Sequence, residues 1–325
     1  MSALVFVKLF AIVAIVAIGW GTARSGRLGG GDPARVLSGA AFYVFVPALL
    51  FRTAARTDFR QLDPRLVLAF FAPTLAMLAL VYLACRLRPA SPGAAAAAPS
   101  VRAITASFGN AVQVGIPLVA ALYGEAGLSL HITLVSLHAL ILLTVLTALV
   151  ELDLAHAQRR ADPDGAGLGR VLATTVRNTV IHPVILPVLA GLAWNASGAA
   201  LPGFADEILV TLGQAVVPLC LILIGVSLAH HGVRGAVRGA LLAALLKLVV
   251  QPAAVLVFAS AVLGLTGVPL AIVVLMAALP VGSNALIFAQ RYQTLQAETS
   301  TAIVVSTLGF VLTAPLWLAI LHALG

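Results

Sequence analysis

The chain has 325 residues, of which 61% are apolar and only 9% charged, with 28 glycines and 17 prolines. Soluble domains carry about 25% charged residues, so this composition excludes a secreted domain, a disordered tail and a nucleic-acid-binding module, and it reads as a polytopic membrane protein. The net charge of +8 is what basic residues on cytoplasmic loops would give, and nucleic acid is not expected as a partner.

Spanning a bilayer takes roughly 20 apolar residues. Ten stretches qualify as candidates: 3–22, 36–51, 66–85, 101–123, 128–150, 171–194, 207–229, 237–263, 268–290 and 298–324. The first holds Lys8 within its apolar run and has no A-x-A site, so it reads as a retained helix, not a signal peptide. The second has 16 residues and would need Arg35 and Arg52 to snorkel at its ends. Placing the N-terminus outside puts 13 of the 19 basic residues on the cytoplasmic side and 4 on the other, with Lys8 and Lys247 inside spans. The expected location is the plasma membrane, with both termini outside. Cys85 and Cys220 are isolated in apolar stretches and offer neither a disulfide framework nor a metal pair.

The polar stretch 151–170 reads as a cytoplasmic linker between a first five-helix unit, 1–150, and a second, 171–325. Residues 89–99 are a low-complexity connector. The halves repeat one another. Val46-Pro47-Ala48-Leu49-Leu50 matches Val217-Pro218-Leu219-Cys220-Leu221, and Pro73 matches Pro252. Gly109-Asn110…Gly115-Ile116-Pro117…Tyr123 in the fourth span matches Pro280-Val281-Gly282-Ser283-Asn284…Tyr292 in the ninth. Five spans per unit invert the second relative to the first. Inverted repeats with Gly/Pro-interrupted spans at matching positions point to a secondary transporter and its binding site. The plainer reading is a pair of ordinary proline kinks.

These segments also resemble a known family. FGNAVQVGIPLVAALYG in the fourth span, VVPLCLILIGVSLA in the seventh, ALPVGSNALIFAQRY in the ninth and STLGFVLTAPLWLAIL in the tenth are similar to the auxin efflux carrier family, over essentially the whole chain. The resemblance implies an all-α membrane fold of ten transmembrane helices in two inverted five-helix repeats. Spans 1, 2, 6 and 7 would form a scaffold that dimerises, and spans 3–5 and 8–10 a moving transport domain in which broken helices 4 and 9 cross at mid-membrane. It implies secondary active transport of small organic anions (auxin, or malonate and malate) by an elevator-type mechanism. It also makes Asn110 a substrate-contacting residue and Pro280 through Asn284 the second break. The acidic and basic pair that plant carriers place in the third span is missing from 66–85.

A carboxylate at mid-membrane needs hydrogen-bond donors, which half-helix N-termini and side-chain amides provide. Asn110 and Asn284, with Gln113 and Ser283 as neighbours and Pro117 and Pro280 shaping the breaks, are the candidate substrate-binding residues; the plainer role for such amides is helix–helix glue. Lys247 lies ten positions into the eighth span and five before Pro252. With no carboxylate deep in any span, its partner is a backbone carbonyl, water or substrate. His131 and His138, seven apart on one helical face, either serve a proton path or simply face the bundle interior. His182, His230 and His231 receive no role. No catalytic residue, metal or cofactor is expected, and coupling to a proton or sodium gradient stays open.

Three other readings stand beside this one. A sodium-coupled carrier of larger anions, like the bile-acid symporters, has a similar architecture, but few acidic residues here specify a sodium site. A membrane enzyme would need an HExxH, paired Asp or Ser/His arrangement, and neither an HExxH nor an Asp pair occurs inside a span. A sensor would bind the ligand without moving it.

Overall fold

The computed structural model describes residues 3–28, 33–56, 63–87, 96–161, 177, 180–181, 183, 185–231 and 237–324. All regular elements among them are helices, joined at one point by an antiparallel bridge between Gly109 and Val281. In chain order they are α1 (Ala3–Arg24), α2 (Pro33–Arg56), α3 (Pro64–Arg86), α4 (Ala98–Ser107) and α5 (Ile116–Ala161). After these come α6 (Ile185–Ala196), α7 (Gly203–His231), α8 (Val237–Val262), α9 (Gly267–Ala278), α10 (Asn284–Arg291) and α11 (Gln296–Leu324). Six of the described helices are long and apolar enough to cross a membrane, and α6 and α9 are shorter apolar helices.

Local chemistry explains several boundaries. Asp63 accepts from the Arg65 backbone N–H at 2.8 Å, and Pro64 takes the first helical position of α3, where its missing N–H does no harm. Within α5, Gly124 has φ 58 and ψ −154, a conformation essentially closed to residues with a Cβ. It splits the helix into 116–123, the far half of the expected fourth span, and 125–161. Three wide π-type turns, Ala41–Phe45, Ala111–Gly115 and Leu246–Val250, each end two residues before a proline: Pro47, Pro117 and Pro252. Proline lacks an N–H and crowds the carbonyl four residues back, and a widened turn ahead of it relieves both.

Two expectations about boundaries change. The second span is 24 residues long, Pro33–Arg56. Its far end does not rely on snorkelling, because Arg52 and Arg56 both bond Asp206 of α7 at 2.7 Å. The expected linker begins as helix, since α5 continues through Glu151 to Ala161, where Asp153 pairs with Arg86 and accepts from the Tyr82 hydroxyl at 2.8 Å. Residues 162–170 and His182, like the 89–95 part of the connector, lie outside the described residues.

The helices pack as two groups. In the first, α1 lies along α7, and α2 lies along α6 and α7. In the second, α3 packs on α4, α8 on α9 and α11, and α5 on α9. Glycines let the backbones of the first group touch. A Cβ on Gly225 of α7 would collide with the Val16 carbonyl and the Trp20 N–H of α1, and one on Gly191 of α6 with the Phe51 carbonyl of α2. Close approach through small residues is how helices associate where lipid removes the hydrophobic drive. The Arg52/Arg56–Asp206 pairs stay within the first group; Arg86–Asp153 and Arg102–Glu298 (3.1 Å) stay within the second.

Replacing Gly225 with Val should therefore force α1 from α7 and destabilise the protein by about 1–3 kcal/mol, the usual penalty of overpacking. Gly203→Ala, where an added Cβ meets nothing within 4 Å, should leave the melting temperature unchanged. Thermal scans of both variants in detergent check the pair.

Candidate functional site

Two interrupted helices meet where the antiparallel bridge forms. α4 ends at Ser107 and the chain resumes as helix from Ala111; α9 ends at Ala278 and resumes at Asn284. Between them Asn110 N–H donates to Pro280 O at 2.8 Å and Gly282 N–H donates to Phe108 O at 2.8 Å. Val281 N–H donates to Ser306 Oγ of α11 at 3.0 Å. Buried backbone groups left without partners in a membrane cost several kcal/mol each, and here the two breaks largely satisfy one another.

The crossing depends on glycine. A Cβ on Gly282 would stand 2.8 Å from the Gly109 carbonyl oxygen and from the Phe108 ring, and one on Gly109 would stand 3.3 Å from Lys247 Cε and Nζ. With a side chain at 282 the two breaks could not close as tightly, whereas one at 109 would ask the end of Lys247 to give way by a few tenths of an ångström.

α8 caps both interrupted helices from behind. Lys247, fully buried, donates to the carbonyl of Ala277 at the C-terminal end of α9. Gln251, four residues on and hence on the same face, donates to the Ser107 carbonyl at the end of α4 (3.3 Å) and to Thr74 Oγ1 of α3 (3.0 Å). A cation suits a helix C-terminus, where the dipole is negative. Pro252 lacks the N–H that would bond the Leu248 carbonyl of α8, and that carbonyl accepts from Trp317 Nε1 at 2.8 Å.

In front of the crossing lies a cavity of about 150 Å³. α2 and α7 supply one wall, with Leu49, Thr53, Val216 and Val217; the two breaks and α5 supply the other, with Asn110, Ser283, Asn284 and His138. It therefore sits between the two helix groups. Asn110, Ser283 and Asn284 stand where the helices resume, so N-terminal ends face the space while the C-terminal ends are capped elsewhere. Asn284 Oδ1 is buried without a hydrogen-bond partner among the described residues.

The sequence candidates thus separate. Asn110, Ser283 and Asn284 line the cavity, and the Pro280 carbonyl holds the crossing. Lys247 lies behind it, bonded to a backbone carbonyl, and is not part of the lining. The side chains of Gln113 and Pro117 are outside the described residues. Of the two histidines that the sequence offered either for a proton path or as interior-facing residues, His138 lines the cavity, while His131 Nε2 bonds the Ala111 carbonyl at 2.9 Å. Gln251 was missed altogether. Its signal is there in retrospect: a polar residue four after Lys247 and immediately before Pro252.

Gly282→Ala should open the crossing and cost about 1–3 kcal/mol, seen as a lower melting temperature than Gly203→Ala gives, together with loss of any ligand that protects the native protein from thermal unfolding.

Comparison with known proteins bears on what this cavity serves. The family model described as "Membrane transport protein" matches residues 4–318. An uncharacterized transporter of Methanothermobacter thermautotrophicus is 25% identical over 316 residues, covering 96% of this chain and 97% of that one. With a match that runs through both breaks and nearly end to end, the chain belongs to the membrane transport protein family, the auxin efflux carrier type that its motifs resemble.

Proposed function

We propose that this membrane transporter is a secondary carrier of small organic anions that works by an elevator-type movement. The observation that carries the reading is the cavity at the crossing, walled by one helix group on one side and by the two breaks on the other. An anion there would meet the N-terminal ends of two resumed helices and the amides of Asn110 and Asn284. Such ends carry a partial positive charge of about half a unit, and an amide can turn its NH₂ toward a carboxylate. Leu49, Val216 and Val217 would hold the remainder of the ligand.

The packing favours the elevator. α1, α2, α6 and α7 would be the scaffold, and through it the dimer contact, and α3–α5 with α8–α11 the moving body. All four ion pairs given above lie inside one group or the other, so sliding one past the other breaks none of them. Arg291, at the end of α10, sits over the rings of Phe42 and Tyr43 of α2 at 5.2 and 5.3 Å. That contact between the groups is a stacking one that can slide or re-form. The matched breaks support a five-plus-five inverted arrangement, and the split of the basic residues supports placing both termini outside.

Uptake of labelled malonate, malate and indole acetate into liposomes carrying the purified chain tests this. One of these acids should accumulate, and Asn110→Ala and Asn284→Ala should each lower its uptake at least tenfold while leaving the elution profile unchanged. Undiminished uptake in both variants would remove the site from the reading.

A further inference from the structure

We propose that His138 is the proton-carrying residue of this cavity, so that each carboxylate crosses together with one proton bound to the imidazole. The inference rests on the anion-carrier reading above. Among the described residues lining the cavity, His138 is the one with an ionisable side chain, and it is 3% exposed, packed against the rings of Phe108 (4.3 Å) and Phe70 (5.8 Å). A negative charge in this space meets no permanent cation among those residues, and Lys247 is turned to the Ala277 carbonyl.

The hydrogen bonding at the break shows how anion and proton are linked. Gly109 N–H points at His138 Nε2 across 3.5 Å, longer than an ordinary N–H hydrogen bond and correspondingly weak. A neutral ring with its proton on Nδ1 can accept this bond. The other backbone donors of the crossing are committed elsewhere: Asn110 to Pro280 O, Ala111 to Gly109 O, Gly282 to Phe108 O and Val281 to Ser306. When a proton from the aqueous side binds Nε2, Gly109 N–H and the new Nε2–H become two donors facing one another. A carboxylate oxygen placed between them accepts from both, exchanging one long neutral bond for two charge-assisted ones. Anion and proton thus favour each other's binding by the same amount. After the movement, loss of the anion leaves the imidazolium facing Gly109 N–H again, and the proton departs to the opposite side. For a monocarboxylate no net charge crosses.

The charged or titratable groups that act on His138 are Lys247, from α8, and His131, two turns earlier on its own helix. His131 is differently placed. Its Nε2 must donate to the Ala111 carbonyl, and its Nδ1 is buried without a partner among the described residues, so protonating it opens no bond to the break.

Calorimetry of malonate, malate and indole-3-acetate binding to the full chain, in two buffers of different ionisation heat, reads the proton directly. About one proton should be taken up per anion bound near pH 7.5, and none in His138→Gln, whose amide oxygen can still accept from Gly109. In liposomes, one pH unit, acid outside, should drive about tenfold accumulation, with no response to membrane potential for indole-3-acetate, and His138→Gln should accumulate nothing. Binding by the native chain without proton uptake overturns the proposal and leaves the anion carrier standing. Proton uptake that persists in His138→Gln overturns the assignment to this residue. If none of the three acids binds or moves, the carrier reading fails, and this inference with it.

Discussion

Everything about this molecule turns on the need to satisfy backbone N–H and C=O groups at two places where helices stop inside an apolar body. Water is not available to them, and each unmade bond would cost several kcal/mol. The answer is mutual: residues 108–110 and 280–282 pair across an antiparallel bridge, with Gly282 allowing the chains to approach. A cavity with exposed helix N-termini is what remains in front of that bridge, and the two C-terminal ends are stopped from behind.

That asymmetry sets the electrostatics. Lys247 and Gln251 reach the negative ends of α9 and α4 from one face of α8, and the positive ends are left to the cavity. A buried lysine would ordinarily mark a binding site for anions. Here its charge is spent on a helix terminus, and it stabilises the crossing. The glycine at 109 stands against both Lys247 and His138, so the break touches a structural amine and a cavity imidazole through one residue.

The division into two helix groups has its own cause. Where backbones meet at Gly225 and Gly191 the first group is held by close steric fit, and the second is held by the crossing, the caps on α8 and its own ion pairs. Between the groups lie the cavity, the stacking of Arg291 on α2 and the packing of α7 on α11 and of α1 on α5. Contacts of that kind permit relative movement better than directional bonds do.

Much of this was legible in the residues. Apolar run lengths pointed to an all-helical membrane fold, and the Gly, Pro and Asn clusters at 109–117 and 280–284 located both breaks, because few other residues interrupt a membrane helix at tolerable cost. The run at 36–51 came out too short, since length statistics ignore an arginine pair anchored by Asp206 on a distant helix. The linker began too early for a similar reason: a polar stretch can stay helical when Asp153 finds Arg86 and Tyr82. The amino-acid sequence by itself determined the class of protein, the places where its helices break and the polar residues available there. Only the tertiary structure decided which of those residues face the cavity. It placed Lys247 behind the crossing and His138 in front of it, because the partner of a buried polar group is chosen by which backbone carbonyl or N–H lies within about 3 Å, a distance no spacing along the chain contains.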